Sequence, residues 1–132
     1  MGKGLCRRRG MVHFVKPEAS PPYDKLGAEA VRLALKDADL SYEAIQQAHT
    51  GYVYGDSTCG QKALYRVGMT GSAVVNVNNN CSTGSAALYL ARQAVESGAV
   101  ECALALGFEQ MKPGALGAVF DDRPSPFEQF DH

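Results

Sequence analysis

Cys81 stands where a β-favouring run ends and a long stretch of small and apolar residues begins, in Val74-Val75-Asn76-Val77-Asn78-Asn79-Asn80-Cys81-Ser82-Thr83-Gly84-Ser85. The chemistry on offer is that of a thiolate nucleophile, which attacks a carbonyl carbon and holds the acyl group as a thioester. From Ser85 to Ala94 nearly every side chain is small or apolar: Ala86, Ala87, Leu88, Tyr89, Leu90, Ala91 and Ala94. Such a segment, opened by Cys81, is expected to form a helix apolar on all its faces and lodged inside the protein. Its amides and positive dipole end would point at the sulfur, and helix N-termini favour a thiolate over a thiol. A cysteine at that place also fits a plainer role as a small buried hydrophobe. Three successive asparagines and Ser82-Thr83-Gly84 fill a core poorly, whereas they build a hydrogen-bonded strand-to-helix turn around an exposed sulfur.

Alternating strand and helix signals surround that turn. Val12-His13-Phe14-Val15 reads as a short extended piece, and Ser20-Pro21-Pro22 as a loop. Leu26, Ala30, Leu33, Ala34 and Ala38 recur at helical spacing, so an amphipathic helix is expected from Asp24 to about Asp37. Ser41 is placed to cap a short turn through Ile45. His49 to Tyr54 reads as a strand ended by Gly55-Asp56, and Gln61 to about Val67 as a helix stopped by Gly68. Val74 to Val77 is the next strand, the Cys81 helix follows, and Gly98 closes it as the residue past its cap. Cys102 to Leu106 is a continuous apolar run, typical of a strand covered on both faces. This alternation implies an α/β layered fold with a mostly parallel sheet and covering helices. Beyond Gly107, Pro113-Gly114 marks a turn, and Ala115 to Phe120 reads as extended or loop.

Composition narrows the function classes. A net charge of −1 gives no general attraction to nucleic acid or to an anionic membrane. No stretch reaches the length of a transmembrane helix. The four cysteines form no C-x-x-C pair, and His13, His49 and His132 stand alone, so no metal site is expected. Each histidine reads as a surface or loop residue. Residues 1–9 are basic and glycine-rich and are expected to be disordered, residues 10–120 to form the domain, and residues 121–132 to be a polar tail. Met1-Gly2 suggests a myristoylation signal, which Cys6 in place of Ser or Thr weakens.

Asn78-Asn79-Asn80-Cys81-Ser82-Thr83-Gly84-Ser85 resembles the acyl-acceptor cysteine motif of thiolases, more narrowly of the thiolase domain of the sterol carrier protein X type. Three further segments are similar to that group in order and spacing: residues 51–61 (Gly-Tyr-Val-Tyr-Gly-Asp-Ser-Thr-Cys-Gly-Gln), residues 68–71 (Gly-Met-Thr-Gly) and residues 101–109 (Glu-Cys-Ala-Leu-Ala-Leu-Gly-Phe-Glu). The likeness runs from about Gly10 onward. It implies the N-terminal half of the layered thiolase fold, incomplete in these residues. The family begins with a hydrophobic strand where this chain has Leu5-Cys6-Arg7-Arg8-Arg9, which puts the first strand of the sheet in doubt.

The resemblance implies thiolytic cleavage of a 3-oxoacyl-CoA to acyl-CoA plus acetyl- or propionyl-CoA, in lipid and sterol metabolism. Cys81 would be the nucleophile and acyl acceptor. Asn78, Asn79, Asn80, Ser82, Thr83 and Gly84 would brace its turn, and Gly107, Glu109 and Met111, in a Gly-x-Glu-x-Met pattern, would line its neighbourhood. CoA enters as substrate and no cofactor is required. A homodimer and a peroxisomal location are implied, with no nucleic acid partner and no transmembrane segment. The family's activating histidines and its second, proton-donating cysteine lie in Gly-His-Pro-type and Cys-x-Gly-type motifs, and nothing in these residues matches them. Catalysis by this chain alone is therefore expected to be negligible, and the alternative is a truncated, non-catalytic product that binds a partner subunit or an acyl-CoA. A condensing ketosynthase shares the cysteine-at-helix idea, but the stretch from Gly51 to Gly60 speaks against it.

Overall fold

The computed structural model describes residues 8–114 and 120–124. Its three strands, β1 (Gln47–Gly51), β2 (Ala73–Val77) and β3 (Ala103–Gly107), form one parallel sheet in the order β2-β1-β3. Gly51 aligns with Val77 on one side and with Gly107 on the other, so the three strands end at one level. Successive side chains point to opposite faces. Ala48, Thr50, Val74, Leu104 and Leu106 share one face; His49, Gly51, Val75, Ala105 and Gly107 share the other.

Helices cover both faces, as an α/β layered fold requires. The chain passes from β1 to β2 in one direction and from β2 to β3 back across β1. Right-handed crossovers in opposite directions set their helices on opposite sides of the sheet. So α2 (Cys59–Tyr65) packs with α1 (Tyr23–Ala38) on the Ala48 face, and α3 (Thr83–Glu96) packs on the Gly51 face. The main core lies under α1 and α2, where Val31, Tyr42, Ile45, Ala48, Ala63, Leu64 and Leu106 are buried together. α3 ends where the sequence places its stop: Gly98 takes a φ of 77°. Its amide donates to Val95 O at 3.1 Å and that of Ala99 to Ala94 O at 3.1 Å, the paired bonds of a Schellman cap.

Several boundaries differ from the sequence reading, each for a local reason. β1 runs from Gln47 to Gly51 rather than from His49 to Tyr54. Gln46 extends pairing at its start, since the Cys102 amide donates to Gln46 Oε1 at 3.1 Å. At its end the amides of Val53 and Tyr54 turn away to the Glu109 carboxylate. α2 begins at Cys59 rather than Gln61, because Thr58 adopts a left-handed φ of 67° and the Cys59 amide donates to Tyr52 Oη at 3.2 Å. Val12 to Val15 forms no regular element, and no strand precedes Gln47 among the described residues. Leu5, Cys6 and Arg7, residues 115–119 and residues 125–132 lie outside the described residues, so the readings placed there stand outside this structure.

The stripe that α1 buries is also displaced. Asp24, Gly27, Ala28 and Val31 face inward, whereas Leu26 and Ala30 are only half-buried and Leu33 is exposed. The smaller stripe lets α1 lie close to α2, and Asp24 turns inward because it has a partner there. Arg66 Nε donates to Asp24 Oδ2 at 2.5 Å, and the Arg66 carbonyl in turn accepts from Arg32 Nη2. Burial pushes the Asp24 carboxyl up, but the Arg66 hydrogen bond and charge, with the Asp24 and Lys25 amides, hold it below its ordinary value. A carboxyl depressed in the folded state contributes stability above the unfolded value of about 3.9, lost as pH falls through the folded value. We therefore expect Asp24→Asn to lose about 1–3 kcal/mol in urea denaturation at pH 7, with the gap to wild type closing below about pH 4.

Candidate active site at the carboxyl ends of the strands

Three loops leave the sheet at the level of Gly51, Val77 and Gly107. The loop after β1 goes to α2 on one face, and the loop after β2 goes to α3 on the other. Neighbouring connections that leave toward opposite faces mark the place, beyond the strand ends, where open α/β sheets bind ligands. Cys81 lies on the loop after β2, on that side of the sheet.

Its turn is fixed almost wholly by local hydrogen bonds. Asn78 Oδ1 accepts from the Asn80 amide at 3.1 Å, closing an Asx-type turn. Asn80 then takes a left-handed φ of 49°, which asparagine tolerates well. The Asn79 carbonyl accepts from the Ser82 amide at 3.2 Å and from the Ser82 hydroxyl at 2.7 Å. Thr83 Oγ1 accepts from the Asn79 amide at 2.9 Å and donates to the Asn80 carbonyl. Thr83 is the buried member of the group, and Gly84 begins the exposed side of the helix.

Cys81 itself is exposed, and its thiol faces Asn80 Oδ1 at 3.7 Å. It does not open the helix, as the sequence reading has it: α3 starts at Thr83, after Ser82. The reason is that the Ser82 and Thr83 amides close the turn on Asn79 and Asn80, and the first helical bond runs from Ala86 to the Ser82 carbonyl at 2.9 Å. The Cys81, Gly84 and Ser85 amides meet no hydrogen-bond partner among the described residues. Free donors therefore lie both at the sulfur and one turn beyond it. Among the described residues the buried cysteine is Cys59, not Cys81. Interaction with Cys59, with burial adding to it, pushes the Tyr23 phenol up to about 12.

The floor of the turn is glycine. A Cβ on Gly51 would stand 2.6 Å from both Thr83 Cγ2 and the Thr83 carbonyl oxygen. One on Gly107 would stand 3.3 Å from Gly84 Cα. Gly107, singled out in the sequence, thus meets the first turn of α3. Gly51, which the sequence reading gives only as the start of the family-like segment 51–61, matters more, because it seats the residue that holds the turn.

Glu109 is directed elsewhere. Its carboxylate accepts the Val53 amide at 2.8 Å and the Tyr54 amide at 3.3 Å, tying the β3 loop to the β1 loop. Beside it Phe108 stacks between Tyr23 and Tyr52, with ring centroids 5.4 and 5.1 Å away. Met111 is half-buried beyond this clamp, and no described contact joins it to Cys81.

Asn76 is a further residue that the sequence reading passed over. Its Oδ1 accepts from the Thr50 hydroxyl at 3.1 Å and the Gly60 amide at 3.0 Å, and its Nδ2 donates to Gln61 Oε1 at 2.7 Å. It joins β1, β2 and the start of α2 just before the Cys81 turn. A polar residue inside Val74-Val75-Asn76-Val77 was the available signal, since such a residue needs partners when buried.

Residues 7–119 match the family described as thiolase, N-terminal domain. The chain belongs to the thiolase family. Sterol carrier protein 2 of Oryctolagus cuniculus is 54% identical over 123 residues, 91% of this chain and 22% of the relative. Non-specific lipid-transfer protein-like 2 of Caenorhabditis elegans is 47% identical over 119 residues, 86% of this chain and 29% of the relative. The chain thus spans 22–29% of the length of these relatives. The crystal structure of 3-oxoacyl-[acyl-carrier-protein] synthase III from Aquifex aeolicus VF5 shares the fold, with a TM-score of 0.59 at 23% identity. That likeness covers 78% of this chain and 34% of that one. In this thiolase-family chain, no group of three or more His, Cys, Asp or Glu is placed to hold a metal among the described residues. No helix among them is long and apolar enough to cross a membrane.

Two substitutions test the seat of the turn. Thr83→Val keeps the shape but removes the oxygen shared by Asn79 and Asn80, with an expected loss of about 1–3 kcal/mol in thermal unfolding. Gly51→Ala forces Thr83 off the sheet at a similar expense, about 1–3 kcal/mol. Both should change the rate at which iodoacetamide alkylates Cys81, while Ala99→Gly, remote from the turn, should leave that rate as it is.

Proposed function

We propose that Cys81 is the acyl-accepting nucleophile of a 3-oxoacyl-CoA thiolase, and that this chain carries the nucleophile half of the site. The observation that carries the reading is an exposed thiol on a hydrogen-bonded turn beyond the strand ends, its own amide without a hydrogen-bond partner among the described residues. Sγ would attack the 3-oxo carbon of the substrate. The bond between C2 and C3 then breaks, its electron pair leaves on C2 as the enolate of acetyl- or propionyl-CoA, and the shortened acyl group stays on sulfur. Protonation of that enolate releases the first product, and attack by the thiol of a second CoA releases the acyl-CoA. The free Cys81 amide is suited to donate to the oxyanion formed in each attack.

The thiol's hydrogen-bond partner among the described residues is the amide oxygen of Asn80, which cannot accept its proton for good. On this reading a base and a proton donor come from outside the described residues, and turnover needs them. The relatives' names, a sterol carrier and a lipid-transfer protein, support a place in lipid metabolism; a peroxisomal site of action rests on the family resemblance alone. A second reading is a non-catalytic partner-binding chain. Leu88 is 50% and Tyr89 61% exposed on the outer side of α3, which favours burial of that side against another body.

The decisive measurement is the intact mass of the chain after incubation with a 3-oxoacyl-CoA. We expect an adduct equal to the shortened acyl group that forms slowly, once and without turnover, and is absent in Cys81→Ser. No adduct, while iodoacetamide still alkylates Cys81, would reject the nucleophile reading and leave the binding one.

A further inference from the structure

We propose that His49 is a proton-sensitive latch beneath α3: protonation of its buried ring lifts the helix from the sheet and releases the turn that presents Cys81 from its seat on Gly51. The inference rests on the reading of Cys81 as nucleophile only for its functional meaning. Its physical content is independent of that reading.

The sequence reading treats His49 as a surface or loop residue. In the structure it is the middle residue of the central strand, 6% exposed. Neither Nδ1 nor Nε2 meets a hydrogen-bond partner among the described residues. A buried polar group without partners is disfavoured even when neutral, and far more so when charged. His49 shares its face with Gly51, two residues along, and Gly51 is the residue on which Thr83 sits. The ring therefore lies on the side that α3 covers.

Among the described residues its surroundings offer nothing to receive a charge. In register with His49 stand Val75 on β2 and Ala105 on β3, and neither strand contains a titratable residue. α3 buries Thr83, Ala87 and Ala91, none of which titrates. The titratable groups of α3, namely Tyr89, Arg92 and Glu96, are exposed, and Arg92 pairs with Glu96 at 2.8 Å. The charges of α1 and α2, including Asp24 with Arg66, belong to the opposite face of the sheet. Burial accordingly lowers the proton affinity of His49, with no counter-charge to restore it.

The sign follows from linkage. A histidine whose folded value lies below its unfolded one leaves stability intact above about pH 6.5. As pH falls below that value the open state binds a proton that the closed state refuses, and the balance shifts toward opening by up to about tenfold per pH unit. The element that must yield is α3, because it covers the ring. It is held here by small residues, which bury little apolar area each. When its first turn leaves Gly51, the local turn from Asn79 to Thr83 loses its seat on the sheet, and Cys81 loses its fixed presentation.

The test is hydrogen exchange by mass spectrometry on the 132-residue chain from pH 5 to 7.5, corrected for intrinsic exchange, beside His49→Val and His49→Gln. Wild type should show opening of the α3 peptides that rises below about pH 6.5, by up to tenfold per unit, with both variants flat. The ratio of wild-type to variant Cys81 alkylation rates should fall over the same range, since ionisation of the thiol is common to both and cancels. Equal pH dependence in wild type and variants would overturn the proposal, as would a wild-type α3 that stays closed. Should a variant fail to fold, the imidazole of His49 can be followed by NMR in the wild-type chain. Titration of its ring without movement of the α3 amides would also overturn the latch. A failed acyl-adduct experiment would leave this result untouched, so the two readings can fail separately.

Discussion

The close approach of the first turn of α3 to the ends of β1 and β3 is the constraint on which the rest of the site depends. Gly51 and Gly107 stand side by side at the strand ends, and at neither place is there room for a Cβ without displacing α3. At that separation Thr83 is buried against Gly51 while its hydroxyl bonds Asn79 and Asn80. The locally closed turn is thereby anchored to the sheet, with Cys81 exposed upon it. A larger residue at the floor would change the chemistry above it without touching the sulfur.

The two faces of the sheet hold their helices by different means. Under α1 and α2 lie Val31, Leu64, Leu106 and the ring of Tyr42, with the Asp24–Arg66 pair at the edge. Each large aliphatic side chain fully buried there contributes about 1.5–3 kcal/mol. Under α3 lie Ala87, Ala91 and Ala105, so that helix relies on fit more than on area. Leu88 and Tyr89 face outward, and Leu90 is half-buried. The nucleophile's helix is thus held by close approach at small residues, and a buried ring without partners among the described residues lies beneath it.

The loops divide the remaining work. The β2 loop presents the thiol. The β3 loop, through Glu109 and Phe108, is spent on holding the β1 loop, whose amides and Tyr52 ring it engages. A carboxylate that accepts two backbone amides positions a loop, and its place in a motif near the cysteine does not make it a proton carrier. Asn76 does similar work one step earlier, fixing β2 against β1 and α2 before the chain reaches the turn.

The amino-acid sequence by itself determined the layered α/β class, the order of strands and helices, the stop at Gly98 and the asparagine-rich turn around Cys81. These are local properties, set by periodicity, by β-branched runs and by side chains that bond their own backbone within four residues. Strand and helix ends shifted by two or three residues because side chains from other segments set them: Gln46 takes the Glu101 and Cys102 amides beside the start of β1, Glu109 takes the amides after its end, and Tyr52 takes the first amide of α2. Tertiary packing alone decided that α1 buries its smaller stripe, that Gly51 is the seat of Thr83, and that His49 lies in the interior of the central strand. Each depends on what another element brings to within a few ångströms, and no spacing along the chain records that distance.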